Sequence, residues 1–422
     1  MGKSEKRKST LEATMERRKT QDYKVFTCKI DYSHLSKEKK EYLTRLFLEA
    51  KWLRNYIIAR NDIFNETDKH DFVIVFNKDG EEEKRDLMCL SSQMKQGILN
   101  QIKDDIFGLS ASKKKGRNVG KLKFKSRVNS INLQQFKQTY RIVGKNHIML
   151  QCFKKRFRVR GLKQIPVGAE IANAKLLRKP SGYYIAITCF VPKVERIKAG
   201  KEIGFDFGIG THITDTEGKK NNWKFQETTR HKRLQRKVNK TYKSGKKSSK
   251  NREYRKHLCR LEHEKLSNRK KDTIKKFVLN IKKNYDFIGV QDENIAAWKS
   301  SRMKGWGRIV HYSIMGGIIR ELKKLSQTHV VDKWERTTQE CLICGKKTKH
   351  GLNERVFVCP HCGYTEDRDI HSARLVLKKA KEISTEYRNV MPVESESSTY
   401  ESEMADEQDS SMKQEAPSFR MG

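Results

Sequence analysis

The chain has 422 residues and a formal net charge of +41, from 92 Lys and Arg against 51 Asp and Glu. So large a positive excess repels itself unless a polyanion neutralises it, which makes nucleic acid the expected partner. A hydrophobic fraction of 36% is enough to build cores and excludes a disordered basic tail. The rival partner, an anionic membrane, is not expected, because the longest apolar runs are only strand-sized and the N-terminus has no apolar signal core.

The N-terminal half is predicted to be a β unit interrupted by helices. Residues 1–22 form a basic arm, and YKVFTCKID (23–31) alternates like a strand. Apolar residues then repeat at helical spacing, so we place a helical insertion at about 35–135. Strand patterns return at 139–151, 170–179 and 183–191.

From residue 201 the predicted order is strand, strand, helix, strand, helix, strand. KEIGFDFGIG (201–210) is a strand that ends in glycines, and HITDTEG follows as its hairpin partner. DFIGVQDENI (286–295) is a strand that ends in acids. HYSIMGGIIRELKKLS (311–326) is predicted to be an amphipathic helix, and THVVDKWE (328–335) a further strand.

Two basic segments are candidates for contact with a nucleic-acid backbone. Residues 230–276 carry 20 Lys and Arg against four acids, and their apolar spacing predicts long basic helices with a break at 244–251. Residues 111–127 form a basic loop that contains glycine. The simpler interpretation of such runs is a solvated face. The candidate contact residues are Lys121, Lys123, Lys125, Arg127, Arg233, Arg236, Lys237, Arg252 and Arg255.

Four of the nine cysteines predict a structural zinc site. Cys341 and Cys344 form one CxxC pair, Cys359 and Cys362 form another 14 residues later, and a glycine follows each pair. Glycine frees the tight turn that points backbone N–H groups at the thiolates. Four thiolates complete a tetrahedral shell, so the site is structural rather than catalytic, although His361 is an alternative ligand. The other five cysteines are expected to be free thiols in a reducing cytoplasm.

Three acidic residues lie at strand ends or at the start of a helix. Asp206 sits between two phenylalanines in GFDFG, Glu293 ends VQDENI, and Asp369 begins DIHSARLVLKKAKE. Three converging carboxylates suit two divalent metals that activate water and stabilise the leaving oxygen of a phosphodiester. Oxygen ligands favour Mg²⁺ or Mn²⁺. Taken singly, each acid has a plainer interpretation: a turn acid, a solvent-facing strand end, or a helix N-cap, which Asp367 would serve equally well.

The combination of these motifs resembles the transposon-encoded TnpB proteins of the IS200/IS605 type and the compact type V CRISPR effectors related to them. The motifs are GFDFG, then DENI, then a CxxC…CxxC ribbon that ends in DRDIHSA. RTTQECLICG (336–345), KFKSR (123–127) and KPSGYYIAI (179–187) resemble further segments of that family. The resemblance covers roughly residues 23–383, and the chain length and acidic tail favour TnpB over a CRISPR effector.

The resemblance implies an α+β, multidomain architecture. A β-barrel-like wedge domain with a helical recognition insertion would precede an RNase H-like (RuvC) α/β nuclease domain that holds an inserted zinc ribbon. The predicted boundaries are a basic arm at 1–22, the wedge domain at 23–198, the nuclease domain at 199–335 and 366–385, the zinc ribbon at 336–365, and a disordered acidic tail at 386–422.

The resemblance also implies which residues are catalytic and hold magnesium. By their places in the motifs these are Asp206, Glu293 and Asp369. The stretch QDENI makes Asp292 a rival for Glu293. The family's Asn-Ala-Ala after the last aspartate reads His-Ser-Ala here, which leaves Asp367 open as the third ligand.

The resulting prediction is an RNA-guided DNA endonuclease in the bacterial cytoplasm. Its partners would be a guide RNA and double-stranded target DNA with a short flanking motif, while base pairing reads the target sequence. Zinc would hold the fold, and magnesium would serve the chemistry. The alternatives are a DNA transposase with an RNase H fold, a nuclease-dead RNA-guided repressor, and a zinc-ribbon RNA-binding protein. The sequence makes no prediction of oligomeric state.

Overall fold

A computed structural model describes residues 3–60, 63–65, 69–76, 80–193, 200–242, 248–300, 306–351 and 354–390. The chain divides into two compact units, residues 1–196 with 228–265 and residues 197–227 with 266–422. Within the described ranges, no helix is both long and apolar enough to cross a bilayer.

The first unit is built on a seven-stranded antiparallel sheet in the order β4-β8-β9-β1-β7-β6-β5. Its strands are β1 (Gln21–Ile30), β4 (Ser130–Leu133), β5 (Tyr140–Val143), β6 (His147–Leu150), β7 (Phe153–Arg160), β8 (Glu170–Lys179) and β9 (Gly182–Pro192), and a separate hairpin joins β2 (Phe72–Phe76) to β3 (Glu82–Asp86). The helices are α1 (Lys3–Lys19), α2 (Lys37–Ala59), α3 (Ser92–Lys114), α4 (Thr229–Lys240) and the first part of α5 (Lys250–Asn284).

Local sequence explains these elements. The N-cap hydroxyl of Ser36 accepts a hydrogen bond from the Lys39 N–H, and Ser91 caps α3 in the same way. Every second residue of β9 from Ile185 to Val191 is buried, as expected for a strand with one face on the core.

Two features of the first unit differ from the prediction. The span 139–151, predicted as one strand, is the hairpin β5–β6, because Gly144 takes a φ of +62° at the turn. The predicted helical insertion also contains the hairpin β2–β3, whose second strand, EEKRD, has no apolar face to reveal it.

The predicted domain boundary is wrong for residues 228–265, which belong to the first unit rather than to the nuclease domain. Their contacts explain why. The Glu264 carboxylate on α5 accepts hydrogen bonds from the Ser181 N–H (3.0 Å) and hydroxyl (2.7 Å) at the β8–β9 turn. The two predicted basic helices are present as α4 and α5, and most of the predicted break between them lies outside the described residues.

The second unit holds a five-stranded sheet in the order β12-β11-β10-β13-β14. Strands β10, β13 and β14 are parallel neighbours, whereas β11 is antiparallel to both β10 and β12. The strands are β10 (Glu202–Asp206), β11 (Ile213–Asp215), β12 (Lys220–Asn221), β13 (Phe287–Gln291) and β14 (Thr328–Val331), with a separate ribbon of β15 (Val356–Val358) and β16 (Thr365–Asp367). The helices are the last part of α5, α6 (Ile295–Ser300), α7 (Trp306–Tyr312), α8 (Met315–Leu322) and α9 (Arg368–Val390).

Helix α9 lies directly on the sheet because two strands present glycine to it. A Cβ on Gly204 of β10 would lie 2.4 Å from the Ala373 carbonyl oxygen, and a Cβ on Gly289 of β13 would lie 3.1 Å from the Leu377 Cα. Any side chain at Gly204 would therefore push the helix away. The helix continues to Val390, so the predicted tail at 386–422 begins too early; its remainder lies outside the described residues.

Candidate active site and zinc centre

Three carboxylates lie at one edge of the five-stranded sheet, although their oxygen atoms are not all within 4.8 Å of one another. Asp206 is the last residue of β10, and Glu293 follows the end of β13 by two residues. These strands are parallel and pair Phe205 with Val290, so both acids leave the sheet at the same edge. Asp369 is the second residue of α9, the helix that packs across both strands.

Asp206 lies in the electrostatic field of the other two carboxylates. Burial, and after it the charges of Asp369 and Glu293, raise the pKa of Asp206 to about 7, although Arg368 opposes them. Burial, and after it the charge of Asp292, raises the pKa of Glu293. A raised carboxyl pKa of this kind indicates that the negative charge of the site exceeds the positive charge of its own Lys and Arg. A bound divalent cation would balance that excess.

Asp367 and Asp369 have different roles in the structure. The Asp367 Oδ1 accepts the N–H of Asp369 (3.0 Å) and of Ile370 (3.3 Å), which is the capping position of α9. Its Oδ2 accepts a hydrogen bond from the Lys220 ammonium at 2.8 Å. Asp367 is thus committed to the helix end, and Asp369 is the acid that acts on Asp206.

Asp292 and Glu293 also differ in their environments. Asp292 is exposed and forms an ion pair with Lys323. Glu293 is half-buried and contributes to the raised pKa of Asp206. Of the two acids in QDENI, Glu293 therefore belongs to the site.

Two equivalent turns hold the four cysteines. In each pair the first cysteine donates its N–H to a carbonyl five residues on, at 3.0 Å from Cys341 and 2.8 Å from Cys359. Its own carbonyl accepts the N–H of the following glycine at 3.0 Å in both turns. Gly345 and Gly363 take φ values of +70° and +72°, a conformation that favours glycine.

The four sulfur atoms fit a tetrahedral zinc ion. Cys341 and Cys362 are 3.6 Å apart at sulfur, as are Cys344 and Cys359, and all four atoms lie within 4.8 Å of one another. Zinc–sulfur bonds of about 2.3 Å imply sulfur separations of about 3.8 Å. In the part of the chain that the structure describes, this is the one tight group of three or more metal-binding side chains, and His361 is not in it.

One thiol of the group is prepared for ionisation. Burial opposes the ionisation of Cys359, but the N–H groups of His361 and Cys362 and the neighbouring thiols outweigh it and lower the pKa of Cys359 to about 6. Zinc binds thiolates, so this setting favours the metal at Cys359, whereas burial and the neighbouring thiols raise the pKa of Cys362.

The cysteine ribbon leads directly into α9. Strands β15 and β16 pair Val356 with Asp367, the residue that caps the helix. Phe357 of the ribbon stacks on His371 of α9, with ring centroids 3.8 Å apart and planes inclined by 10°. His371 is fully buried, and burial lowers its pKa, so the ring is neutral. The sequence pattern did not identify this contact.

The first unit carries a basic cavity of about 790 Å³. Its only acid, Glu253, is ion-paired with Lys256 at 2.5 Å, so the cavity stays cationic. Cationic side chains that face one space suit the phosphates of a nucleic-acid backbone. The lining residues are Ser126, Arg127, Asn129, Arg178, Lys179, Pro180, Glu253, Lys256, His257 and Arg260.

The predicted contact residues fall into three groups. Lys121, Lys123, Lys125 and Arg127 are exposed on a segment whose backbone is held at Lys125 by two hydrogen bonds to the Asn55 side chain (2.9 and 3.0 Å). Arg233, Arg236 and Lys237 are exposed on α4.

The third group lies on α5. Arg255 is half-buried, and Arg252 is engaged within the fold, where it donates to the Val238 carbonyl at 3.3 Å and covers the Tyr242 ring. Of the predicted contacts only Arg127 lines the cavity. Arg178, Lys179 and Arg260 were missed because they come from two segments that are far from Arg127 in sequence.

Two family models match the chain. The OrfB_IS605 model, described as a probable transposase, matches residues 187–302, and the model of the Cas12f1-like TNB domain matches residues 322–376. The first match contains Asp206 and Glu293, and the second contains the four cysteines and Asp369.

Relatives of known name also match. A putative RNA-guided DNA endonuclease from Streptomyces pristinaespiralis is 22% identical over 272 residues, which are 60% of this chain and 64% of the relative. The chain thus spans slightly less than two thirds of that relative. A cryo-EM structure of a Cas12f1–sgRNA–target DNA complex matches 81% of this chain and 83% of its own, with 14% identity and a TM-score of 0.45. The chain is similar to the TnpB proteins and the compact Cas12f effectors, and the resemblance predicted from its motifs is confirmed.

Proposed function

We propose that this protein is an RNA-guided DNA endonuclease that hydrolyses phosphodiester bonds at Asp206, Glu293 and Asp369. The observation that carries the proposal is the meeting of these three acids at one sheet edge, where they raise the pKa of Asp206. Perturbed carboxyl groups that converge in this way are typical of catalytic sites. The name of the curated relative and the transposase model support the same function.

The sheet supports an RNase H-like, RuvC-type nuclease domain. Three antiparallel strands are followed by two strands parallel to the first, in the order β12-β11-β10-β13-β14. Acids at the carboxyl ends of β10 and β13, with a third on the packed helix, suit that fold. The seven-stranded antiparallel sheet of the first unit supports its proposed role as the wedge domain.

The three carboxylates would hold the catalytic metal, expected to be two Mg²⁺ ions with Mn²⁺ as a substitute, because hard oxygen donors suit both. When bound, such ions activate water and stabilise the leaving oxygen of the phosphodiester. The rest of the chain fixes where the charges lie. Asp367 sets the start of α9, and the Lys220 ammonium lies 3.6 Å from the Asp369 carboxylate. The four cysteines would hold one structural zinc ion that anchors the same helix.

A guide RNA would bind the basic surface of the first unit. The cationic cavity supports this role, as do the exposed lysines of the segment at 121–127. Base pairing would then read the target, and the protein would read a short flanking motif in double-stranded DNA.

The test is expression with the native flanking DNA, sequencing of the RNA that co-purifies, and cleavage of a matched plasmid with Mg²⁺. Asp206→Ala and Glu293→Gln should each reduce cutting by at least about 100-fold. Asp292→Asn is the matched control, because this neighbouring acid is exposed and paired with Lys323, and it should cut at the wild-type rate.

The outcomes separate the alternatives. A defined RNA with no cutting would indicate the nuclease-dead repressor. No defined RNA would indicate a transposase or a general nucleic-acid binder, and the proposal would be wrong. Equal losses in Asp292→Asn and Glu293→Gln would overturn the assignment of the second acid.

A further inference from the structure

Trp334 is a large aromatic side chain that the fold leaves in solvent. Its side chain is 80% exposed, and it is the one fully exposed member of the chain's five tryptophans, all of which lie in described residues. It follows the end of β14 by three residues. Tryptophan is enriched where a surface binds a partner, so the exposed ring indicates a binding surface.

The loop that carries Trp334 is held in place by a buried amide. The Gln291 Nε2 donates to the carbonyls of Asp332 (3.2 Å) and Glu335 (2.9 Å), and its Oε1 accepts the Thr337 hydroxyl at 2.9 Å. The Trp334 N–H donates to the Asp332 carboxylate at 2.8 Å. The ring is therefore presented from a fixed backbone rather than from a loose loop.

The loop leaves the sheet at the edge where the three acids lie. Phe205 of β10 pairs with Val290 of β13, which pairs with Val330 of β14. The next residues on the outer two strands are Asp206 and Val331. Two strand spacings of about 4.8 Å put their backbones about 10 Å apart. The loop that carries Trp334 therefore begins at the sheet edge where Asp206 lies.

The loop around the ring carries two cations and two acids, and both acids are already engaged: Asp332 accepts the Trp334 N–H at 2.8 Å, and Glu335 pairs with Lys379 at 2.7 Å. The Lys333 ammonium lies 4.7 Å from the Trp334 ring centroid, and Arg336 is exposed two residues later. An aromatic face beside cations offers stacking to a base and charge to the adjoining phosphate, which is how single strands are held without sequence preference. An apolar protein partner would not explain these flanking charges.

We propose that Trp334 stacks on a base of the single DNA strand that enters the acidic site, close to the phosphodiester to be cut. This inference rests on the proposed nuclease function, because it takes its substrate from that site. The stacked base would fix the strand against sliding, and Lys333 and Arg336 would hold the phosphates on either side.

The test uses the full chain with its co-purified RNA and zinc, Ca²⁺ in place of Mg²⁺ to prevent cutting, and a short fluorescein-labelled single-stranded oligodeoxynucleotide. Anisotropy reports binding, and tryptophan fluorescence of the unlabelled oligonucleotide complex reports stacking. Trp334→Leu should bind about tenfold more weakly or worse and lose the quenching. Trp334→Phe should recover most of the affinity, and Trp306→Phe, at a half-buried tryptophan, should behave as wild type.

Affinity and quenching that are unchanged in Trp334→Leu would overturn the inference, as would a wild-type protein whose fluorescence the oligonucleotide leaves unchanged. Asp206→Ala separates the two proposals. Wild-type quenching in Asp206→Ala, together with an absence of Mg²⁺-dependent cutting by the wild-type complex, would leave the stacking site standing and the nuclease function refuted.

Discussion

Asp206→Asn is expected to stabilise the metal-free protein at neutral pH. The folded state raises the pKa of this carboxyl from an ordinary 3.8 to about 7, through burial first and the charges of Asp369 and Glu293 second. A raised folded pKa makes ionisation costly in the fold, so the wild type loses stability as pH rises from about 4 to about 7. Asparagine is neutral throughout and avoids that loss.

The size of the effect follows from the shift. About three pKa units at about 1.36 kcal/mol each give about 4 kcal/mol as an upper value at pH 7, and partial solvent contact reduces it to about 2–4 kcal/mol. For a unit of this size we expect the midpoint of thermal unfolding to rise by about 5–15 °C.

Calorimetry at pH 4 and at pH 7.5, in EDTA-free buffer without divalent ions, measures the difference. The gain from Asp206→Asn should be small at pH 4 and large at pH 7.5. Excess Mg²⁺ should raise the midpoint of the wild type, since a ligand of the native state stabilises it, and should have less effect on the variant. Asp292→Asn, an exposed control, should change stability by less than about 0.5 kcal/mol at either pH.

A gain of equal size at pH 4 and pH 7.5 would refute the electrostatic reasoning, because the benefit would then not come from ionisation. A destabilised Asp206→Asn would refute it as well.

Three further predictions concern the elements around the site. Cys359→Ser should reduce bound zinc, measured by atomic absorption, to below half of the wild-type amount, whereas Cys152→Ser, outside the cluster, should keep it. Asp367→Ala should cost about 0.5–2 kcal/mol of unfolding free energy through the lost cap, measured by urea denaturation, yet retain cutting within about tenfold, unlike Asp369→Ala. Gly204→Ala should cost at least about 1–3 kcal/mol by the same method, because the new Cβ meets the α9 backbone at 2.4 Å.

Each of these has a contradicting result. Full zinc content in Cys359→Ser would exclude it as a ligand. Loss of cutting in Asp367→Ala equal to that in Asp369→Ala would make the capping acid a member of the site. An unchanged stability in Gly204→Ala would mean that α9 does not need the close approach.

Local sequence patterns were sufficient to predict features that depend on residues close together in the chain. The two CxxC pairs predicted the cysteine cluster, and alternation predicted β8 over the same ten residues that the structure gives. The choice between Asp367 and Asp369 needed geometry, because both precede an apolar helix and only the cap hydrogen bonds tell them apart.

Features formed by segments far apart in the chain could not be predicted from the sequence. The basic cavity draws its cations from the loop after α3, the β8–β9 turn and α5, and no window of sequence contains all three. The assignment of 228–265 to the first unit depended on the contact between Glu264 and Ser181, which are 83 residues apart in sequence. The sequence analysis made no prediction for Gln291, whose amide fixes the loop of Trp334.

The glycine contacts of α9 have a consequence for the cysteine ribbon. Because the helix is seated on β10 and β13 at Gly204 and Gly289, and β14 is held by its ladder to β13, the ribbon leaves and rejoins the sheet at two anchored points. The stretch between its two cysteine pairs takes part in this seating, because β15 pairs with Asp367 and Phe357 stacks on His371. A peptide inserted next to β15 would therefore disturb the start of α9 and, with it, the third carboxylate.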